Sequence, residues 1–173
     1  MIALAVSFMK LNTRFLVQAA VIAALYSVLV ILATLTPWGA VSFGGVQFRF
    51  SEALTVLPYF TPAAIPGLFV GCLISNIAGT VAGVSLGWAD IVFGSLATLA
   101  AAGCSWLLRR SKWLVPLPPV VINAVVVGLM LHYILQLPLI VSMLSVAGGQ
   151  LVVCYLLGMP LLLALEKRRK IFD

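Results

Sequence analysis

Five long apolar runs determine what this chain can fold into. They lie near residues 15–35, 64–83, 88–108, 118–137 and 143–165, and each is close to the roughly 20 residues that an α-helix needs to cross a bilayer. Hydrophobic residues make up 64% of the 173 residues and charged residues 8%, with a mean hydropathy of +1.23. This leaves too little polar surface to cover a soluble globule. The sequence therefore predicts an all-α integral membrane protein with a single transmembrane domain over residues 1–173.

The basic residues decide the number of crossings. A shorter segment at 51–61 is a candidate sixth helix, and with six crossings all the basic clusters fall on one side of the membrane. The clusters are Lys10 with Arg14, Arg109 with Arg110 and Lys112, and Lys167 to Lys170. Because Lys and Arg accumulate in cytoplasmic loops, we predict a compact bundle of six transmembrane helices with both termini cytoplasmic. Met9 is an alternative to Met1 as the start of translation.

The sequence carries no motif of catalysis. It has no Gly-rich phosphate loop, no Ser or Cys at a recognisable spacing from a base, and no cluster of His, Cys and carboxylates for a metal. Its three cysteines, Cys72, Cys104 and Cys154, lie inside apolar runs and are typical of small buried residues. We therefore expect no enzyme activity, no cofactor and no metal. The net charge of +6 is interpreted as membrane orientation, so we expect no nucleic-acid partner.

Polar residues gather at one depth of the predicted bundle. Six of them fall in its outer half, beside the loop 36–49, and come from five helices: Glu52, Asn76, Asp90, His132, Gln136 and Gln150. Ionisable groups at membrane depth usually face a cavity or one another and mark a substrate path. Taken singly, a transmembrane amide is more often an interhelical hydrogen bond, and His132 near an interface can be solvated. Together they predict an outward-facing pocket for a small polar molecule.

Arg49 and Glu52 form the charged pair that directly follows the first long run. The alternative interpretation is that they pair with each other and only anchor a loop. Five aromatic residues are expected to enclose the ligand: Phe43, Phe48, Phe50, Tyr59 and Trp88. Asn123 in the inner half is a further candidate substrate-binding residue.

Small residues predict where helices approach closely. The third helix has one at every fourth position, which indicates a packing seam: Gly67, Gly71, Ser75, Gly79 and Gly83. The fourth helix repeats this less strictly at Asp90, Gly94, Thr98 and Ala102. The first helix has overlapping alanine pairs, Ala19 with Ala23 and Ala20 with Ala24. For that helix, packing inside the bundle and docking to a partner membrane subunit both remain open.

Four separated segments closely resemble the QueT family, the predicted queuosine-precursor substrate-binding components, or S components, of energy-coupling factor importers. They are FRFSEALTVLP at 48–58, GLFVGC at 67–72 followed by Ser75-Asn76, DIVFGSLATL at 90–99, and LPP at 117–119 followed by Asn123-Ala124. The resemblance runs from about Lys10 to Arg168. Phe50 departs from it, since a proline is common at that position.

The resemblance implies a six-helix bundle in the plasma membrane of a prokaryote, which captures a 7-deazaguanine base at its outer face. It further implies two kinds of partner, a transmembrane coupling subunit and two ATPase subunits. Ala20 and Ala24 look like the alanine motif that docks such components onto the coupling subunit. Glu52 is the first candidate for the carboxylate that binds the base, and Asp90 the second. The alternatives are an S component for another vitamin, a stand-alone secondary carrier, and an intramembrane enzyme acting on lipids.

Overall fold

The computed structural model describes residues 13–36, 49–169 and 172. Five α-helices are long and apolar enough to cross a membrane: α1 (Thr13–Thr34), α2 (Ala64–Val81), α3 (Asp90–Leu107), α4 (Leu117–Leu135) and α5 (Leu139–Glu166). The described part of the chain contains no strand. The predicted all-α architecture is therefore confirmed, and each predicted long helix lies within about one turn of its observed bounds.

The segment predicted as a short sixth helix is a 3-10 helix, Phe50–Tyr59. Ten residues rise only about 20 Å in this conformation, against a hydrocarbon thickness of about 30 Å. Two features favour departure from the α form: Pro58 lacks a backbone donor, and the Thr55 hydroxyl bonds the Glu52 carbonyl at 2.6 Å. Its length alone would not carry it across a membrane.

The directions of α1 and α2 nevertheless require the intervening chain to cross the bundle. Gly67 lies against Ala19 and Ile22, and the next turn, at Gly71, lies against Ala23 and Tyr26. The two helices therefore run parallel. The 3-10 helix makes the return path between them.

Hydrogen bonds at both ends of this return path fix its direction. Arg49, just before the 3-10 helix, bonds Asn76 near the end of α2, at 2.9 Å. Thr61, just after it, bonds Gln18 near the start of α1, at 2.8 Å. The segment thus passes through the interior of the bundle from the end of α2 towards the start of α1.

The basic residues of the described chain other than Arg49 lie at one end of the bundle, which we call the basic end. Gln18 Nε2 donates to the backbone carbonyl of Phe172 at 3.5 Å, and Lys112 in the loop after α3 pairs with Glu166 at the end of α5, at 3.2 Å. The basic end comprises Arg14, Arg109, Arg110, Lys112, Lys167, Arg168 and Arg169. Lys10 and Lys170, which also belong to the predicted clusters, lie outside the described residues.

The packing seam predicted for α2 is confirmed at two of its glycines. A Cβ on Gly67 would lie 2.8 Å from the Ala19 carbonyl oxygen, and one on Gly71 would lie 2.7 Å from Cβ of Tyr26. Glycine is therefore required for this approach of α1 to α2. The prediction was wrong at Gly83, which follows the end of α2 with a φ of 71° and has open space around it. That residue ends the helix through its left-handed conformation.

Candidate functional site

A cluster of buried polar side chains lies towards the end of the bundle opposite the basic end. We call it the buried polar cluster, and it draws on α1, the 3-10 helix and its preceding residue, α2 and α3. Every member is at most 5% exposed. The members are Tyr26, Arg49, Ser51, Glu52, Cys72, Asn76, Asp90, Ser95 and Thr98. Burying a polar group is costly unless it is hydrogen-bonded. The hydrogen-bond partners of each member therefore distinguish the groups that hold the fold together from those that are available to a ligand.

Glu52 occupies the first turn of the 3-10 helix and is incompletely bonded. The Tyr26 hydroxyl donates to its Oε1 at 2.7 Å. Within the described residues, neither Glu52 Oε2 nor the adjacent Ser51 Oγ has a hydrogen-bond partner, although both atoms are buried. Native structures contain few such atoms, and each calls for an explanation. An acceptor beside a hydroxyl group is an arrangement suited to a ligand that presents both donors and acceptors.

Arg49 connects the start of the 3-10 helix to α2 and α3. Its Nη2 donates to Asn76 Oδ1 at 2.9 Å, while Asn76 Nδ2 donates to the Asp90 carbonyl oxygen at 2.7 Å. In the described chain the ion pair within 4.0 Å joins Lys112 and Glu166. Arg49 and Glu52 are linked by a backbone bond, from the Glu52 N–H to the Arg49 carbonyl oxygen at 3.0 Å, but their side chains do not form the direct ion pair of the alternative interpretation.

The carboxylate of Asp90 holds a turn. Its Oδ2 accepts a hydrogen bond from the backbone N–H of Leu86 at 2.7 Å, which fixes the chain just before α3. Asp90 also opens the π-helical turn Asp90–Gly94. A Cβ on Gly94 would come within 3.2 Å of Asn76 Nδ2, so the small residue at this position lets α3 approach the amide. Of the two candidate carboxylates, Glu52 is the one with a fully buried oxygen that has no hydrogen-bond partner in the described chain.

The helix α5 contacts the backbone turn that carries Glu52 through Cys154 and Gln150. Cys154 Sγ lies 3.7 Å from the Thr55 hydroxyl, 3.8 Å from the Glu52 carbonyl oxygen and 3.4 Å from Gln150 Oε1. Cys154 belongs to a π-helical stretch, Val152–Leu157. Such local widening of a helix is frequent at functional sites. Gln150 is 2% exposed and is thereby connected to the turn that carries Glu52.

Several other candidates stand apart from the cluster. His132 Nδ1 lies 2.7 Å from the Leu137 carbonyl oxygen, and Gln136, with a φ of 56°, donates to the Tyr133 carbonyl at 2.9 Å. Both side chains are thus engaged in ending α4.

Trp88 also lies apart from the cluster. It is 69% exposed, and the centroid of its ring lies 6.0 Å from the centroid of the Phe93 ring. Asn123 is buried on α4. The expectation for Tyr59 was wrong, because its hydroxyl donates to Glu166 at the basic end. Phe43 and Phe48 lie outside the described residues.

Tyr26, Ser51, Cys72, Ser95 and Thr98 are members of the cluster that the sequence analysis did not propose. A signal for Tyr26 was present, because it continues the stripe of Ala19, Ile22 and Ala23 that packs on α2. A hydroxyl on that stripe must find a buried partner. For Ser51, the signal was its position next to Glu52 in the sequence.

The family model described as QueT transporter matches residues 16–167. The chain is 37% identical over 100 residues to the "Queuosine precursor transporter QueT" of Lactococcus lactis subsp. cremoris (strain MG1363). This alignment covers 57% of the chain and 53% of the relative, so the chain matches about half the length of that curated protein. No solved structure matches the chain.

Proposed function

The chain belongs to the QueT transporter family, and from this premise we propose that it is the substrate-binding S component of an energy-coupling factor importer. Its substrate is a queuosine precursor, a 7-deazaguanine base, captured at the extracellular side. The name of the bacterial relative supports this substrate class. The observation that carries the proposal is the buried Glu52 carboxylate with its unpartnered Oε2 beside the unpartnered Ser51 hydroxyl.

The chemistry of a guanine-like edge fits this pair. The edge presents two adjacent N–H donors and a carbonyl acceptor, and a carboxylate accepts two parallel N–H bonds in a bidentate manner. Tyr26 holds Oε1 of Glu52 at 2.7 Å and so fixes the orientation of the carboxylate, while Oε2 keeps its acceptor capacity. The Ser51 hydroxyl supplies a donor for the carbonyl oxygen of the base. Arg49 and Asn76, bonded to each other at 2.9 Å, form the polar wall of the same cluster.

Charge sets the proposed orientation of the bundle. The basic end holds the described part of the three predicted clusters, and the positive-inside rule assigns such an end to the cytoplasm. Both termini are then cytoplasmic, in the plasma membrane of a prokaryote. The buried polar cluster falls in the outer half of the bundle, where it meets an external substrate.

The outer face of α1 supports the proposed docking to a transmembrane coupling subunit. Ala23 and Tyr26 are buried against α2, whereas Ala20 and Ala24 are exposed on the opposite side of the helix. Small residues let the backbone of a second helix approach closely within a membrane. In this assembly the energy for transport comes from two ATPase subunits bound to the coupling subunit, and this chain performs no catalysis.

The direct test is equilibrium binding to the detergent-purified full chain, measured by calorimetry. The panel contains queuine, its two pre-queuosine bases, guanine, thiamine and riboflavin. We expect tight binding restricted to the deazaguanines, because their edge matches Glu52 and Ser51. Binding to none of the panel, or to thiamine or riboflavin in preference, contradicts the proposed substrate class.

A second experiment tests the partners by enlarging both alanines, with Ala20→Leu and Ala24→Leu combined. Because the enlarged side chains keep a facing helix at a distance, we expect ATP-dependent uptake to be lost while substrate binding is unchanged. Ala100→Leu combined with Ala164→Leu, two exposed alanines on α3 and α5, is the matched control and retains uptake. Uptake by the chain without ATPase subunits, driven by an ion gradient, contradicts the S-component proposal and indicates a secondary carrier.

A further inference from the structure

A second concave site lies at the basic end. It is a pocket of about 380 Å³ lined by three aromatic residues and three arginines: Tyr59, Phe60, Trp106, Arg109, Arg110 and Arg169. These residues come from the end of the 3-10 helix, the end of α3 and the segment just after α5. The pocket shares no residue with the buried polar cluster, so its use is independent of the substrate assigned there.

One arginine of the pocket is held in place by an aromatic ring. Cζ of Arg109 lies 3.5 Å from the centroid of the Trp106 ring, the distance of a close cation–π contact. Stacking occupies the face of the guanidinium group, whereas its five N–H donors lie in the plane of the group. A stacked guanidinium therefore remains able to bind an anion through its edge.

Among the described residues the positive charge of the pocket is balanced only in part, since one carboxylate, Glu166, interacts with Arg169. Glu166 is the carboxylate described at this end, and its two oxygens are taken by the Lys112 ammonium and the Tyr59 hydroxyl, each at 3.2 Å. Among the described residues no carboxylate lies within 4.0 Å of the guanidinium groups of Arg109, Arg110 and Arg169. Gathering three cations around one concavity favours an anion between them.

The pocket also lies where membrane-crossing helices end. α3 ends at Leu107, which is 77% exposed, and Arg109 follows two residues later. Arginines at such a place meet the headgroup layer while neighbouring apolar side chains meet the acyl chains. Basic pockets between transmembrane helices are known to bind anionic headgroups. Arginine suits the phosphate of such a headgroup because its planar fork matches the oxygens.

We propose that this pocket binds the phosphate of an anionic phospholipid through Arg109, Arg110 and Arg169. The acyl chains of that lipid lie along the exposed apolar surface at the end of α3. The bound lipid then anchors the basic end at the membrane surface, apart from the site that receives the substrate.

The test uses native mass spectrometry of the detergent-purified full chain with phosphatidylglycerol or phosphatidylcholine of identical acyl chains. We expect the wild-type chain to retain phosphatidylglycerol in preference. Arg109→Gln combined with Arg110→Gln should reduce the retained phosphatidylglycerol by at least about tenfold, because the loss of even one charge-assisted contact has an effect of that size. Lys167→Gln combined with Arg168→Gln removes the same charge at the same end, outside the pocket lining, and should change retention less than about twofold. Arg169→Gln alone gives a milder variant if the double change at 109 and 110 impairs folding.

Three outcomes would overturn the proposal. Equal losses in the pocket variant and the charge-matched control would mean diffuse attraction to the basic end. Equal retention of the two lipids by the wild-type chain would mean that the phosphate site has no preference for an anionic headgroup. Displacement of phosphatidylglycerol by a similar concentration of inorganic phosphate would mean that the pocket binds a free anion.

Discussion

Two tyrosine–glutamate contacts lie near the two ends of the 3-10 helix, and they differ in how completely the carboxylate is bonded. At the buried polar cluster, Glu52 Oε1 accepts from Tyr26 at 2.7 Å with neither residue more than 2% exposed, and Oε2 has no partner among the described residues. At the basic end, Glu166 accepts from Tyr59 and from Lys112, each at 3.2 Å, and its side chain is 35% exposed.

This difference indicates which of the two carboxylates is available to bind a ligand. A carboxylate that is partly solvated and bonded at both oxygens needs no further partner. A buried carboxylate with an unbonded oxygen has lost its hydration and has not regained an equivalent bond, which costs about 1–3 kcal/mol or more. A ligand that donates to Oε2 offsets that cost, so the incomplete contact is the one that favours binding.

The largest expected effect comes from Glu52→Gln. The amide has the shape of the carboxylate but replaces one acceptor oxygen by a donor, so it cannot accept two N–H bonds from the substrate edge. Hydrogen bonds to a charged group contribute about 1.5–3 kcal/mol, which predicts a loss of roughly 10- to 100-fold in affinity for the deazaguanine. Calorimetry with the pre-queuosine bases measures it.

Glu166→Gln is the matched control, since it makes the same chemical change at the basic end. Its affinity should stay within about twofold of the wild-type value, because that carboxylate lies outside the buried polar cluster. If both variants bind the substrate equally well, or if Asp90→Asn lowers affinity more than Glu52→Gln does, the assignment of Glu52 is wrong.

The next largest effect is expected on stability, and it tests the close contact between α1 and α2 that positions Tyr26 beside Glu52. In Gly71→Ala the new methyl group would lie 2.7 Å from Cβ of Tyr26 and 2.9 Å from the Ala23 carbonyl oxygen. Overpacking of this kind costs about 1–3 kcal/mol, so we expect a lower unfolding temperature in detergent and weaker binding. Gly103→Ala is the control, because its methyl group meets nothing within 4 Å. Equal unfolding temperatures for the two variants would contradict the close α1–α2 contact.

The sequence was sufficient to predict the long helices and the depth of most polar residues within the bundle. A membrane-crossing helix must have a minimum apolar length, so five helices could be placed from hydropathy. Arg49, Glu52, Asn76 and Asp90 were proposed from depth, and the structure brings them together. The 3-10 form of Phe50–Tyr59 could not be predicted, because length and hydropathy do not distinguish it from a short α-helix.

The direction in which a side chain faces was much harder to predict than its depth. His132 and Gln136 lie at the expected outer end of α4, but local bonds to the Leu137 and Tyr133 carbonyls engage them in ending the helix. Tyr26 appeared as one more apolar residue of α1, since its partner is 26 residues away in the chain. Such partners are set by the return of the 3-10 helix through the bundle, which no local pattern contains.

A smaller effect is expected from Tyr26→Phe, which removes one hydrogen bond to Glu52 and keeps the ring. A single hydrogen bond contributes about 0.5–1.5 kcal/mol, so affinity should fall about threefold to tenfold as the carboxylate loses its fixed orientation. Tyr59→Phe makes the same change in the other contact and should leave affinity unaltered. An unchanged affinity in Tyr26→Phe, with Glu52→Gln still impaired, would show that Tyr26 does not orient the carboxylate.

The smallest effect should follow Lys112→Gln, which breaks the ion pair at the basic end. The two side chains are 37% and 35% exposed, and exposed pairs contribute little to stability because water and salt screen them. We expect a change in unfolding temperature close to the error of the measurement, which shrinks further as salt is added. Glu166 keeps its bond from Tyr59 and stays partly solvated, so no buried charge is left alone. A loss of stability as large as that of Gly71→Ala would mean that the exposed Glu166 depends strongly on its ion pair, and the contrast between the two ends of the 3-10 helix would then fail.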